Sequence, residues 1–346
     1  MKKYLATLFG LLTLATFFVP AHYSDNFFAP FNIFRIIVML IFIGLILSFK
    51  PKINLAESIK KAPKSAKILM VIVPVIVLIF ALIQLLWPDF AVLLIRDESR
   101  NWNYRRGIFI KSAFQLIACV TFVIVAIKSK KKKRYANIVV LALLALITFM
   151  MIGEELSWGQ RIIGWETPTD YAEINMQGET NLHNLATQLF QNTLYFGGWI
   201  LLVALPFFRK YIDKFLAKFK KVSFLRGFLP PTYFVLIFAA AYGLVDPIAA
   251  PTGIRYSSIL FSILGTAALL IYTIIPARGN IANMICLTLG SFIAALFLNL
   301  FVSQVWQINH GAPTEYLELF ISFGIMLWAL YLNKNLLKSS EKAKNI

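Results

Sequence analysis

From Ile68 to Trp87 the chain carries no charged side chain. A run of ~20 apolar residues is what a helix needs to cross the ~30 Å hydrocarbon core of a bilayer. Similar runs recur along the sequence, and the composition agrees with them. Hydrophobic residues make up 59% of the chain and charged residues only 14%, with a mean hydropathy of +0.73. A soluble domain carries roughly 25% charged residues, too many for this chain to match. The expected fold is therefore all-α: a polytopic transmembrane helical bundle. Ten spans are read at about 4–20, 33–49, 68–87, 108–127, 138–153, 191–208, 228–247, 257–276, 281–305 and 316–333.

The formal net charge is +18. In a soluble chain that excess would suggest a nucleic-acid partner, but here the basic residues fall in short blocks between apolar runs. KSKKKKR at 128–134 and RKYIDKFLAKFKK at 209–221 are the clearest. With Met1 inside, 26 of the 34 Lys and Arg residues lie in inner segments. That asymmetry is the positive-inside pattern. It implies a bacterial cytoplasmic (inner) membrane protein with both termini cytoplasmic, its basic loops against anionic lipid headgroups, and no nucleic-acid partner.

The first span resembles a secretory signal, with MKK before an apolar core and FVPA before His22. With nine further spans, an uncleaved anchor is the expectation. No internal repeat and no Gly/Ser linker divides the sequence, so residues 1–346 are read as a single integral membrane domain. Cys119 and Cys286 each lie within an apolar run, without a second cysteine nearby, and are expected to be small core residues.

Reactive side chains gather on the outer side. All three histidines, His22, His183 and His310, fall in outer loops, and 13 of the 16 acidic residues lean the same way. The densest stretch is MIGEELSWGQRIIGWETP, Met151 to Pro168, which opens the longest outer loop. Long loops of this kind are often functional, and this one is expected to be structured. Span five should continue as a helix past Glu154, placing Glu154, Trp158 and Arg161 on one face with Glu155 a quarter turn away. A second helix, lying at the interface, should start near Thr180 or Asn181, both acceptable N-caps. Its stripe would be Leu182, Leu185, Leu189 and Phe190. Glu179 and His183 would then be near enough to touch.

Simpler roles fit several of these residues. Glu154 and Glu155 fit a span meeting water, and Trp158 with Trp165 fit an interfacial aromatic belt. Glu315 and Glu318 fit the favourable dipole end of the last span. Against the first of these, carboxylates that end an apolar run are costly unless paired or facing a polar cavity, which makes them functional candidates.

The string EELSW resembles the first motif of the CPBP family of glutamate intramembrane proteases, Glu-Glu, three residues, then Arg. The likeness covers five residues. Gly159 stands at the Arg position, and Arg161 comes two residues late. The family's later histidine motifs do not follow: Glu179 stands four before His183 and Thr187 four after it. The pairing of GEELSWGQR with a downstream NLHN is also similar to a motif pair of uncharacterised bacterial multi-pass membrane proteins, a likeness that implies no activity.

These residues suggest a membrane-embedded enzyme whose site lies at the extracytoplasmic face and acts on a lipid, lipid-linked or peptide substrate. Glu154 or Glu155 would be the general base. His183 would be acid, base or metal ligand. Gln160 and Arg161 would hold an anionic headgroup, with Trp158, Glu179 and Asn184 completing the substrate contacts. The cofactor is unknown. Zinc accepts such ligands, and His22, His183 and His310 are the metal candidates, although no compact spacing marks them. The same carboxylates would serve a secondary transporter in proton or cation coupling, and a scaffold or assembly factor using the loop as a docking surface is the third class. Nothing in the sequence names an oligomeric state.

Overall fold

The computed structural model describes residues 2–18, 30–49, 55–87, 90, 106–175, 179–182, 187–245, 253–305 and 312–336. Every regular element among the described residues is helical. In chain order these are α1 (Lys2–Phe18), α2 (Pro30–Ser48), α3 (Leu55–Lys61), α4 (Lys64–Leu86), α5 (Arg106–Lys131), α6 (Tyr135–Glu155) and α7 (Gln160–Ile163). Then come α8 (Thr169–Ile174), α9 (Thr187–Trp199), α10 (Leu205–Ala217), α11 (Phe234–Phe238), α12 (Gly253–Ile274), α13 (Gly279–Val305) and α14 (Ala312–Asn335).

The chain is a multi-pass helical membrane protein. Among the described residues, seven stretches are long and apolar enough to cross a bilayer, within residues 64–86, 107–131, 135–155, 190–217, 257–274, 279–300 and 315–335. The other three expected spans coincide with shorter apolar helices, Tyr4–Thr16, Ile33–Ser48 and Phe234–Leu244. Helix length therefore supports seven spans and does not by itself carry the count to ten. Large apolar side chains such as Leu116, Leu143, Phe149 and Phe297 face outward, as they can where lipid replaces water.

The helices divide into two compact units that interleave along the chain. One unit takes in Met1–Leu93, Gln191–Tyr211 and Pro231–Leu317. At its core lie α11 and the 3-10 turn Ala239–Leu244, whose side chains are all buried. A segment apolar on every face belongs inside a bundle. A Cβ at Gly243 would stand 2.3 Å from the Phe292 carbonyl oxygen, so only glycine permits this approach to α13. Asn299 Nδ2 donates to the carbonyls of Leu244 and Val245 at 3.2 and 2.9 Å. Those bonds satisfy acceptors that a helix end would otherwise leave bare in apolar surroundings.

The other unit takes in Leu94–Phe190, Ile212–Pro230 and Glu318–Ile346. Here α5 and α6 form an antiparallel hairpin, turning at Lys133 with φ 56°. Cys119, half-buried between them, donates its thiol to the Ala145 carbonyl at 3.4 Å. Cys286, by contrast, is exposed on its helix rather than in the core; a lipid-facing position suits a small apolar residue equally well. The last helix, α14, packs along α5. Lys111 meets Glu318, Gln115 meets Ser322, and Lys128 meets Asn333. The partners advance together in sequence, so the two helices run parallel. An edge-on contact of Phe122 with Trp328 at 5.7 Å fills the seam, and the Trp328 indole N–H donates to the Phe228 carbonyl at 2.8 Å.

Parallel packing requires the C-terminal ends of α5 and α14 to lie on one side of the membrane and the end of α6 on the other. Single cysteines at Lys131 and Asn335 should therefore react with an impermeant thiol reagent from the same side, and a cysteine at Thr169 from the opposite side. Labelling of Lys131 and Asn335 from different sides would contradict the parallel pair.

Candidate functional site

The helix α6 does not run on through Arg161, as its sequence pattern suggests. It stops at Glu155, and Ser157, Trp158 and Gly159 follow with φ of 47°, 54° and 96°. Three successive left-handed residues, two of them not glycine, are costly, and the Trp158 ring supplies the compensation. It folds back over α6 onto Gly153, where a Cβ would stand 2.8 Å from the ring. It meets Phe149 edge-on at 6.3 Å, and its Nε1–H donates to Glu154 Oε1 at 2.8 Å. Trp158 thus packs on its own helix instead of serving only as an interfacial belt residue. Trp165 covers Gly159, whose added Cβ would lie 3.1 Å from its ring.

The two halves of the sequence motif interlock. Glu154 Oε2 accepts the Leu182 backbone N–H at 2.8 Å. Glu179 Oε2 receives the Ser157 hydroxyl at 2.7 Å, Arg161 Nη2 at 2.7 Å and Asn181 Nδ2 at 2.9 Å. Arg161 Nε also donates to Ser157 Oγ at 3.1 Å. Thr180 donates its N–H to Gln160 Oε1 at 2.9 Å and its hydroxyl to the Ser157 carbonyl at 2.6 Å. Gln160 Nε2 in turn reaches Thr167 Oγ1 at 2.7 Å. Asn175 and Tyr171 both donate to the Asn181 carbonyl, at 2.9 and 2.8 Å. Ser157, Asn175, Asn181 and Glu154 are all buried, so these bonds form in a medium that strengthens them. Thr180 and Asn181 therefore tie the loop to the end of α6. Thr180, Asn181 and Leu182 are themselves not helical; the next described helix is α9, and residues 183–186 before it lie outside the described residues.

Glu155 takes the opposite direction. Its Oε2 lies 3.0 Å from Lys111 Nζ, and the same ammonium lies 2.7 Å from Glu318 Oε2. The three side chains come from α6, α5 and α14 and are 18%, 3% and 13% exposed. One turn along, Gln115 Nε2 donates to Ser322 Oγ at 3.1 Å. From the sequence alone, Glu318 is given only the favourable dipole end of the last span, and Lys111 is not singled out. The available signal was the i, i+4 pairing of polar residues on two otherwise apolar helices: Lys111 with Gln115, and Glu318 with Ser322.

Of the expected site residues, Glu154, Glu155, Trp158, Gln160, Arg161 and Glu179 converge at this end of the unit, in two separate networks. His22, His183, Asn184 and His310 lie outside the described residues. Among the described residues no group of three His, Cys, Asp or Glu is placed to hold a metal ion. Beside the interlocked loop lies an open groove of ≈ 520 Å³, lined by Trp158, Pro168, Tyr171, Ile174 and Leu182, with Asp170 and Thr180 at its polar points. Ile174 in that lining is exposed, as are Ile162 and Ile163 of α7.

No protein-family model, no curated protein and no solved structure matches the chain. The five-residue likeness to the glutamate proteases gains no support from these comparisons.

The geometry makes Glu154 a clasp between segments 28 positions apart. Glu154→Gln puts an amide N–H where one of two donors now points, which should cost about 1–3 kcal/mol. Gly153→Ala should cost about 1–3 kcal/mol by driving a methyl into the Trp158 ring. Thermal unfolding in detergent should show a lowered Tm for both, and an unchanged Tm for Glu154→Gln would remove the clasp from the account.

Proposed function

We propose that the chain is a membrane-embedded enzyme acting on a lipid or lipid-linked substrate at the loop-bearing end of α6. The observation that carries this reading is the ≈ 520 Å³ groove, lined mainly by apolar and aromatic side chains, directly beside a fixed polar network. Concave, mostly apolar sites with a few convergent polar groups are what small-molecule and lipid chemistry requires. The loop lies on the extracytoplasmic side of a bacterial cytoplasmic membrane in this reading, and both termini lie inside.

Within it the two adjacent glutamates separate. Both Glu154 oxygens accept N–H donors, so Glu154 positions the loop. Glu155 Oε2 bonds Lys111, and Glu155 is the glutamate assigned in this reading to accept a proton from a hydroxyl or water. His183, next in the chain after the Leu182 amide that Glu154 holds, is the partner acid or base. Gln160 and Arg161 engage Thr180 and Glu179, so they hold in place the loop whose Thr180 and Leu182 line the groove, at the end where a headgroup would bind. A transporter is the second reading. It is favoured by the ion cluster of Lys111, Glu155 and Glu318 within spans, since charged groups there commonly mark ion or proton pathways.

Comparing envelope lipids of deletion cells complemented with wild type, Glu154→Gln or Glu155→Gln tests the assignment. Glu155→Gln should keep wild-type abundance and Tm and lose about 10²-fold or more in turnover. Glu154→Gln should lose stability first. Full complementation by Glu155→Gln, with unaltered lipids, would sink the catalytic reading.

A further inference from the structure

We propose that the groove beside the end of α6 takes the acyl chain of a bilayer phospholipid, which slides in sideways from the leaflet along the lipid-facing side of α6. The proposal rests on the lipid reading of the groove and is independent of any catalysis there. A first observation is the direction in which the loop side chains point. Ser157, Asn175 and Asn181 are buried, and they spend their polar atoms on Glu179, on the Asn181 carbonyl and on one another. Ile163 and Ile174 are 72% and 64% exposed, and Ile162, Trp165 and Leu182 are exposed too. Polar groups inside and large apolar groups outside reverse the arrangement of a loop in water. They suit a loop whose apolar side lies at the boundary between headgroups and acyl chains. The exposed acids Glu166, Asp170 and Glu173 keep it at that level rather than deeper in the hydrocarbon.

A second observation is continuity. Leu143, Leu146, Ile147 and Met150 recur at helical spacing along α6 and are exposed, with Phe149 beside them. That is the side α6 gives to lipid. Phe149 meets the Trp158 ring edge-on at 6.3 Å, and Trp158 lines the groove. The groove wall is thus an extension of the lipid face of a span, and a chain lying against Phe149 reaches it without crossing water.

The lining chemistry decides which end of the lipid enters. Trp158, Tyr171, Ile174 and Leu182 offer apolar and aromatic surface, and Asp170 is the one charged residue of the lining. Its carboxylate repels a phosphate. Thr180 has already given its N–H to Gln160 and its hydroxyl to the Ser157 carbonyl. The phosphate therefore stays outside and the chain goes in. A peptide backbone would bring N–H and C=O groups that this wall leaves largely unpaired, at a desolvation cost a hydrocarbon chain does not carry. The volume of ≈ 520 Å³ lies within the range of sites for single small molecules, roughly 300–1,000 Å³.

The test uses the full-length protein in liposomes of phosphatidylethanolamine and phosphatidylglycerol. They carry a trace of phosphatidylethanolamine with a photoactivatable diazirine, either midway along one acyl chain or on the headgroup, and crosslinked peptides are mapped by mass spectrometry. The chain probe should mark α6 around Phe149 and also the segments holding Tyr171, Ile174 and Leu182. The headgroup probe should leave Tyr171 and Ile174 unmarked. Ile174→Glu sets a carboxylate in the path of the chain and should cut marking of Tyr171 and Leu182 about tenfold or more, while Phe149 stays marked and the wild-type Tm is kept. Should that variant lose its Tm, Ile174→Trp, which narrows the groove without a charge, gives the same reading. Chain marking confined to α6, or groove marking undiminished in both variants, would overturn the proposal. So would headgroup marking of Tyr171 in place of chain marking. Glu155→Gln should leave chain marking unchanged even where turnover is lost, so failure of the catalytic reading and failure of the groove as a chain site are read separately.

Discussion

Everything at the loop-bearing end of α6 hangs on one carboxylate. Glu154 accepts the Trp158 indole N–H on one oxygen and the Leu182 amide on the other. Bonds to an ionised acceptor are about twice as strong as neutral ones, and this acceptor is 7% exposed. The first bond holds the Trp158 ring over Gly153 and so maintains the left-handed break. The second pins the far end of the loop. With both in place, Ser157, Arg161 and Asn181 can meet on Glu179 Oε2, and the groove has a rigid wall.

The break also decides what becomes of the adjacent glutamate. In α6, Glu155 points about 100° away from Glu154 around the helix axis. Because the helix ends there, Glu154 faces the returning loop and Glu155 faces α5 and α14. Two chemically identical neighbours thus acquire different surroundings: one saturated with N–H donors, the other sharing an ammonium with Glu318. A helix running on to Arg161 would have presented both to the same solvent boundary.

The apolar runs made the helical membrane fold legible, because a bilayer imposes one requirement on backbone polar groups and leaves little room for alternatives. The motif pair was legible too, since GEELSWGQR and NMQGETNLHN concentrate polar residues where apolar ones surround them. What the letters did not show was the bend between Leu156 and Gln160. Proline marks most sharp helix breaks, but here a tryptophan folds back onto a glycine five residues earlier, and neither residue alone signals it. Lys111 and Glu318 escaped for a different reason. Their pairing joins positions 207 apart, and periodicity within one helix says nothing about which distant helix will pack against it.

That separation has a consequence in time. Chains elongate at ~5–20 residues per second, so Glu318 is made about 10–40 s after Lys111, given the 207 residues between them. During that interval the nascent chain holds a lysine in α5 whose second counter-charge does not yet exist. The α5–α6 hairpin brings Glu155 within the first several seconds, making a provisional pair that α14 later converts into a three-way cluster. The seam between α5 and α14 is therefore closed only after α14 has left the ribosome. The order of synthesis keeps that part of the molecule open to the membrane until the intervening helices and α14 have been inserted.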